Sequence, residues 1–240
     1  MAPGPGLSEM VQSPQKFSKI ITDELKMITT VIFDLDGLLA DTERLHCQAY
    51  QLALLEHGIH LTEADYGEHW VRCGSGIQEW VGQHGYNCDP GALRARKATH
   101  YQELLHSSLR PMEGAVALLN RLSGKMRIAL ASSSYRDAVD SVIYRLGIAN
   151  YFETIVSGLD VARVKPAPDI FLETANRLDV VPAECVVLED AEKGVLAADA
   201  AGMRCVAVPN DYTRDHDFSK ATHVCSSLDR VTIELLRNLG

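Results

Sequence analysis

The amino-acid sequence predicts an α/β fold built on a doubly wound parallel sheet, with an inserted helical cap domain. Short apolar runs recur along the chain without polar alternation, which is typical of strands buried on both faces. Stretches with helical spacing follow these runs through short connections, and this alternation indicates parallel strands with helices on both sides. Between the first two runs the spacing is helical throughout, so we expect an insertion there.

Composition limits the classes of protein that this chain can belong to. The 240 residues are 46% hydrophobic, enough for one large core and a smaller module. The net charge of −9 and the pI of about 5.4 argue against nucleic-acid or anionic-membrane partners. No apolar run approaches the ~20 residues of a membrane-spanning helix. The six cysteines form no C-x-x-C pair, so we expect reduced thiols in a cytoplasmic protein.

Three segments follow from these patterns. Residues 1–26 precede the first strand and begin with a run rich in Pro, Gly and Ser, so we expect a disordered tail that ends in a short helix. Residues 27–42 together with 110–240 are predicted to form a Rossmann-like core. Residues 43–109 are predicted to form the helical cap.

The elements of the core alternate in chain order. The apolar runs predict strands at 31–33, 127–131, 154–157, 185–188 and 204–208, with an edge strand at 222–225. Amphipathic spacing predicts core helices at 111–122, 135–146, 168–178, 191–201 and 228–238. Gly147 and Gly202 follow two of these helices and are suitable stop residues.

The cap elements are all predicted to be helical. We expect helices at 42–58, 62–69, 77–85 and 89–107. Thr62 is a suitable N-cap for the second of them, and Pro90 suits the first turn of the fourth.

Asp34 and Asp36 follow the first strand, and Gly37 comes directly behind them. In an extended chain, residues two apart point to the same side, so the two carboxylates can face one pocket. Gly37 then allows a sharp turn. Two close carboxylates repel each other, and such a pair implies a cation, a shared proton or both. Taken alone, the pair could equally be strand-end or capping acids.

Other polar side chains also follow predicted strands. Ser132 and Ser133 end the second strand, Lys165 follows the third, and Glu189 and Asp190 end the fourth. In open parallel sheets the site lies beyond the carboxyl ends of the strands, so these groups should converge. Singly, Ser132 could be a helix N-cap, Lys165 a solvated loop lysine and the two acids capping residues. Their occurrence together, each after a successive predicted strand, favours a functional site over these separate explanations.

Together these residues resemble the four motifs of the haloacid-dehalogenase-like hydrolase superfamily, over residues 31–240. The resemblance implies a Mg²⁺-dependent phosphatase with a metal-binding site. Asp34 would be the nucleophile that forms an aspartyl-phosphate, and also a metal ligand. Asp36 would donate its main-chain carbonyl to the metal, protonate the leaving oxygen and then deprotonate the attacking water.

The remaining motif residues receive their roles from the same resemblance. Asp190 would complete the metal site, with Glu189 as a further contact. Lys165 would offset the charge of the phosphoryl group and of Asp34. The Ser132 hydroxyl and the main-chain amides near Leu35 and Ser133 would donate to phosphoryl oxygens. Because Asp36 is acidic, phosphoryl transfer is favoured over dehalogenation.

The predicted cap resembles that of the subfamily containing β-phosphoglucomutase and sugar-phosphate phosphatases. His46 matches a mutase histidine that links the cap to Asp36, and Lys97 matches a cap lysine that contacts substrate. Either could instead be an ordinary helix-surface residue. The mutase arginine that grips a second phosphate is replaced by Ile77, and Tyr135 stands where the mutase has a lysine.

We therefore expect a phosphatase acting on a small phosphorylated metabolite such as a sugar phosphate. A phosphosugar mutase is the alternative. A catalytically silent binding module is a further alternative, which the presence of Asp34, Asp36 and Lys165 disfavours.

Overall fold

A computed structural model describes residues 27–239 of the protein, so the predicted tail at residues 1–26 lies outside the described residues. In the described part, six parallel strands form one sheet in the order β3-β2-β1-β4-β5-β6. They are β1 (Thr30–Phe33), β2 (Arg127–Ala131), β3 (Thr154–Val156), β4 (Cys185–Glu189), β5 (Arg204–Ala207) and β6 (His223–Val224). The sheet confirms the predicted doubly wound α/β fold.

Helices connect the strands and form the insertion. Those of the insertion are α1 (Thr42–Leu55), α2 (Glu63–Tyr66), a π-helical turn (Gly67–Arg72), α3 (Ile77–His84) and α4 (Pro90–Ser108). The others are α5 (Ala115–Leu122), α6 (Arg136–Arg145), α7 (Asp169–Leu178), α8 (Glu192–Ala200) and α9 (Ile233–Arg237). Within residues 27–239, none of the helices combines the length and the apolar character needed to cross a membrane.

Strand β1 lies at the centre of the sheet because its residues are apolar on both faces. Phe33 is aligned with Leu130 of β2 on one side and with Leu188 of β4 on the other. Phe33 packs in a core with α5 and α6, whereas Ile32 points to the opposite core with α7 and α8. The strand order reverses beside β1, which is where α/β folds of this kind place their ligands.

The insertion has an apolar core of its own. Its buried residues come from α1, from the segment 59–66 and from the helices α3 and α4, and they include Leu54, Tyr66, Ile77, Trp80 and Leu93. The two connections to the sheet meet where Ala40 forms a β-bridge with Pro111. The cap is therefore joined to the core by two adjacent chain segments close to the end of β1.

Most predicted helices differ from the observed ones by a few residues at their ends, and three differ more. The helix predicted at 111–122 begins only at Ala115, because Pro111 forms the bridge to Ala40 and Gly114 has φ = +80°. The helix predicted at 62–69 is α-helical from Glu63 to Tyr66 and continues as the π-helical turn. The helix predicted at 228–238 is a 3₁₀ turn followed by α9, which Thr232 caps.

Candidate active site

A cavity of about 640 Å³ lies between the carboxyl edge of the sheet and the cap. Eight of the nine residues predicted to form the site line this cavity: Asp34, Asp36, His46, Lys97, Ser133, Lys165, Glu189 and Asp190. The ninth, Ser132, is fully buried at the end of β2 and reaches Asp36. The parallel topology brings these groups together because the ends of β1, β2 and β4 are adjacent.

Lys165 is buried at the centre of the cavity floor with all three ammonium protons in use. Its Nζ atom lies 2.5 Å from Asp34 Oδ1, 2.8 Å from Glu189 Oε1 and 2.9 Å from the carbonyl oxygen of Ala131. Burial alone would lower the pKa of Lys165, but the attraction of Asp34 and Glu189 outweighs it and raises the pKa above its usual value. The ammonium group therefore stays charged beside Asp34.

Asp34 experiences the opposite balance. Burial raises its pKa to about 7, with further repulsion from Glu189 and Asp36, although Lys165 acts to lower it. The pKa of Asp190 is also raised, well above its usual range. Burial is the largest cause, and repulsion from Glu189 and Asp34 adds to it. The site thus concentrates more carboxylate charge than Lys165 alone neutralises.

Asp36 is held by three hydroxyl groups. Thr42, the first residue of α1, donates to Asp36 Oδ1 at 2.8 Å. Ser132 and Ser134 donate to Oδ2 at 3.1 and 2.8 Å. The Ser132 hydroxyl, which we expected to serve the phosphoryl group, is directed at Asp36 in this structure. Ser134 belongs to the serine run that the sequence places at the end of the second strand, but neither Ser134 nor Thr42 was predicted to contact Asp36.

Glu189 uses both of its carboxylate oxygens within the protein. Oε1 accepts from Lys165, and Oε2 accepts from the main-chain amides of Asp190 and Ala191 at 3.0 and 3.1 Å. Gly194 leaves the space that this carboxylate occupies, since a Cβ atom there would overlap it. The predicted metal contact of Glu189 stays a prediction, and it would depend on Oε1, which accepts one hydrogen bond where Oε2 accepts two.

Asp190 is fixed by a residue that the sequence did not indicate. Asn210, in the loop after β5, donates from Nδ2 to Asp190 Oδ2 at 2.9 Å and to the Gly37 carbonyl oxygen at 3.0 Å. The Tyr212 amide donates to Asn210 Oδ1 at 2.8 Å and so fixes the orientation of the Asn210 side chain. A Cβ atom at Gly37 would lie 2.5 Å from Asp190 Oδ2, which explains the glycine there. No local pattern could have marked Asn210, which is 20 residues beyond Asp190.

His46 and Lys97 form the cap wall opposite the carboxylates. Lys97 Nζ lies 2.5 Å from His46 Nδ1, and since an ammonium can only donate, Nδ1 is the acceptor. Burial and the Lys97 charge lower the pKa of His46 to about 3. Burial lowers the pKa of Lys97 to about 8. His46 is therefore neutral, with its proton on Nε2.

The cap contributes further cavity residues that were not predicted, among them Glu43, Tyr50, Tyr66 and Trp70. Glu43 and Tyr50 share one face of α1 with His46, at spacings of three and four residues. That polar and aromatic stripe was readable in the sequence. Tyr66 and Trp70 come from the π-helical turn region, and their position depends on tertiary packing.

The carboxylates of the cavity are oxygen donors, the kind of ligand that a hard divalent cation prefers. No three His, Cys, Asp or Glu side chains in residues 27–239 converge as a ready-made metal cage. Mg²⁺ needs no such cage, since it takes one or two carboxylates together with water and substrate phosphate. Asp34 and Asp190 are buried and line one cavity, and within residues 27–239 only Asp34 of the two has an ion-pair partner, Lys165. These residues therefore fit a hard cation with oxygen ligands.

The chain is similar to known proteins in sequence and in structure. The haloacid dehalogenase-like hydrolase family matches residues 31–208. The chain is 34% identical to the fructose-1-phosphate phosphatase YqaB of Escherichia coli over 182 residues, 74% of this chain and 95% of that protein. It is 37% identical to the β-phosphoglucomutase of Bacillus subtilis over 193 residues, 74% and 82% of the two chains.

Among solved structures, CbbY from Rhodobacter sphaeroides in complex with phosphate is similar, with a TM-score of 0.70 and 27% identity over 85% of this chain and 96% of that one. Fold, site and matches together define an α/β protein that hydrolyses phosphoric monoesters. The chain belongs to the haloacid dehalogenase-like hydrolase family, and its class is that of the family's phosphatases.

Proposed function

We propose that the protein is a Mg²⁺-dependent phosphatase of a small sugar phosphate and that it works through an aspartyl-phosphate on Asp34. The observation that carries this proposal is the ion pair of Lys165 with Asp34, in the same cavity as Asp36 and its three hydroxyl donors. A nucleophilic carboxylate beside a fixed cation, together with a second carboxylate able to move protons, is what ester cleavage by phosphoryl transfer needs.

In the first step, an Asp34 oxygen attacks the phosphorus atom and the bond to the leaving oxygen breaks. Asp36 gives its proton to that oxygen. In the second step, Asp36 takes a proton from water, which attacks phosphorus and releases phosphate from Asp34. The hydroxyls of Thr42, Ser132 and Ser134 suit both forms of Asp36, because a hydroxyl can donate or accept.

Lys165 neutralises Asp34 so that a phosphate dianion can approach. The main-chain amides of Leu35 and Ser133 have no acceptor among the described residues, which supports their role as donors to phosphoryl oxygens. Glu189 orients Lys165 in this proposal, because its oxygens are already engaged.

Asp34, the main-chain carbonyl of Asp36 and Asp190 would hold the metal. Bound there, Mg²⁺ supplies charge that draws the phosphoryl group towards Asp34. Asn210 keeps the Asp190 carboxylate against the Gly37 turn in readiness for it.

We infer that water, not a second sugar hydroxyl, is the phosphoryl acceptor. Ile77 stands at the mutase arginine position and is buried in the apolar core of the cap, and Tyr135 is an exposed residue. Neither supplies a positive charge for a second phosphate. In favour of a mutase, Arg72 lines the cavity and the Bacillus subtilis mutase is similar over most of its length.

A panel of phosphorylated metabolites, including fructose 1-phosphate and both anomers of glucose 1-phosphate, tests the proposal. We expect free phosphate to be released with Mg²⁺, to stop with EDTA and to be lost in Asp34→Asn, whose thermal melt should stay cooperative. Glucose 6-phosphate formed from glucose 1-phosphate without phosphate release would establish the mutase instead. Full activity of Asp34→Asn would contradict the mechanism and favour a silent or unrelated site.

A further inference from the structure

Glu43 lines the cavity, and only one of its two carboxylate oxygens accepts a hydrogen bond from the described residues. The Tyr66 hydroxyl donates to its Oε1 atom, and the side chain is partly buried. Among the described residues, Oε2 has no hydrogen-bond donor and the carboxylate has no ion-pair partner. Lys97, the cap lysine whose charge acts on Glu43, points its ammonium at His46. Glu43 lines the cavity, so Oε2 is available to accept a hydrogen bond from a donor that a ligand supplies.

The position of Glu43 places that acceptor beside the leaving group. Glu43 lies on the same face of α1 as His46 and Tyr50, one and two turns from them, and all three line the cavity with Asp34 and Asp36. Thr42, the residue before Glu43, donates to Asp36 Oδ1 at 2.8 Å, so the first turn of α1 lies against Asp36. A substrate whose phosphorus faces Asp34 and whose leaving oxygen faces Asp36 therefore extends its remaining atoms towards this face of α1.

We propose that Glu43 is a specificity-determining residue that accepts a hydrogen bond, through Oε2, from a hydroxyl of the leaving group. Tyr66 fixes the carboxylate by occupying the other oxygen. This inference rests on the proposed phosphatase function, which supplies the orientation of the substrate.

The charges around Glu43 favour a hydroxyl over a cationic donor. Lys97 and Lys193 both line the cavity and both act on Glu43. A substrate ammonium group would meet two lysines there, whereas a neutral hydroxyl provides a donor without repulsion. Tyr50 and Trp70 add an aromatic wall, with ring centroids 4.8 Å apart, on which the carbon skeleton of a polyol can pack.

The test compares phosphate esters that differ only in hydroxyl groups. The probes are glycerol 1-phosphate against n-propyl phosphate, and sorbitol 6-phosphate against n-hexyl phosphate, each with Mg²⁺. The measured quantity is the ratio of kcat/KM for the hydroxylated ester to kcat/KM for the plain ester. We expect the wild type to favour the hydroxylated member of at least one pair, because a site built to bond a hydroxyl discriminates strongly against its loss.

The variants are chosen so that the buried Tyr66 hydroxyl is not left unpaired. Tyr66→Phe serves as the background, and Glu43→Leu is added to it, because removing both partners together is milder than removing one. We expect the ratio to fall about tenfold between Tyr66→Phe and the double variant. Glu43→Gln, which keeps an acceptor for Tyr66 and presents an amide nitrogen at the other position, should shift the ratio in the same direction. Glu63→Gln, a carboxylate of the adjoining cleft, is the control and should leave the ratio as in the wild type.

The outcomes separate this inference from the proposed function. Equal efficiency on both members of each pair in the wild type, or a ratio that changes less than twofold on adding Glu43→Leu and in Glu43→Gln, overturns the role of Glu43 while leaving the phosphatase intact. An equal fall in Glu63→Gln would also overturn it. Failure of the wild type to release phosphate from any ester overturns the proposed function and this inference with it.

Discussion

Gly194, in the first turn of α8, lies so close to Glu189 that a Cβ atom at position 194 would overlap the Glu189 carboxylate. Glu189 can therefore accept from Lys165 only because residue 194 has no side chain. The close packing of α8 and the placement of the Glu189 carboxylate therefore depend on each other.

Gly194→Ala is expected to destabilise the protein by about 1–3 kcal/mol, as overpacking of a buried site does. The displaced Glu189 should also release Lys165 and lower kcat at least tenfold. Gly82→Ala in α3 is the matched control, because nothing lies within 4 Å of the added Cβ atom. Since alanine favours a helix over glycine, that control should gain about 0.5–1 kcal/mol. Denaturant titration and phosphate release measure both effects, and equal stability of the two variants would contradict the close approach.

Lys165→Met is expected to abolish phosphate release and to cost about 3–5 kcal/mol of unfolding free energy. The reason is that Asp34 and Glu189 would remain buried without their shared cation. Arg163→Gln removes a nearby charge from an exposed ion pair and should change stability by less than about 1 kcal/mol. Urea unfolding of both variants checks the contrast. A Lys165→Met protein as stable as Arg163→Gln would mean that the buried ion pair is not formed.

His46 should give the protein an acid-side loss of stability. Burial and the neighbouring Lys97 and Lys193 charges hold the pKa of His46 at about 3 in the folded state, against the opposing effect of Asp36. The unfolded chain binds this proton near pH 6.5, so stability falls as the pH drops below 6.5. Between pH 7 and pH 5, His46→Asn should lose less stability than the wild type, by up to about 2 kcal/mol. Chemical denaturation at both pH values tests this, and parallel losses would show that His46 is protonated in the folded protein.

Asn210→Ala should weaken Mg²⁺ binding about 10–100-fold, because residues that orient a metal carboxylate have effects of that size. The Mg²⁺ concentration for half-maximal phosphate release and the thermal stabilisation by Mn²⁺ both report the change. Asp211→Asn, an exposed neighbour, is the control and should match the wild type. If Asn210→Ala needed the same Mg²⁺ concentration as the wild type, the prediction would be wrong and other contacts would orient Asp190.

The fold could be predicted from the sequence because the core strands are continuous apolar runs. Arg127–Ala131 was predicted to the residue, since an apolar run ends there in three serines. The predicted helix bounds were wrong where tertiary contacts determine where a helix begins or ends. Pro111 joins Ala40 and not the helix that follows, and the Gly67–Arg72 segment widens into a π-helical turn that no spacing rule anticipates.

The site could be predicted where each residue ends a strand, because parallel topology then brings the residues together. The sequence did not indicate Asn210 or Tyr66, because their contacts with Asp190 and Glu43 depend on loop and cap packing across long chain separations. Glu189 was identified, but its partners were not, since the sequence shows its place and not the direction of its oxygens. Glu43 was readable in principle from its spacing to His46.

The hydrogen bond from Thr42 to Asp36 has a consequence for the proton carrier of the proposed mechanism. Thr42 is both the first residue of the first cap helix and a donor to the carboxylate proposed to move protons. Any rotation of that helix about its first turn shifts this donor. Of the three hydroxyls that hold Asp36, Thr42 is therefore the one through which the placement of the first cap helix acts on the proton carrier, while Ser132 and Ser134 hold it from the core.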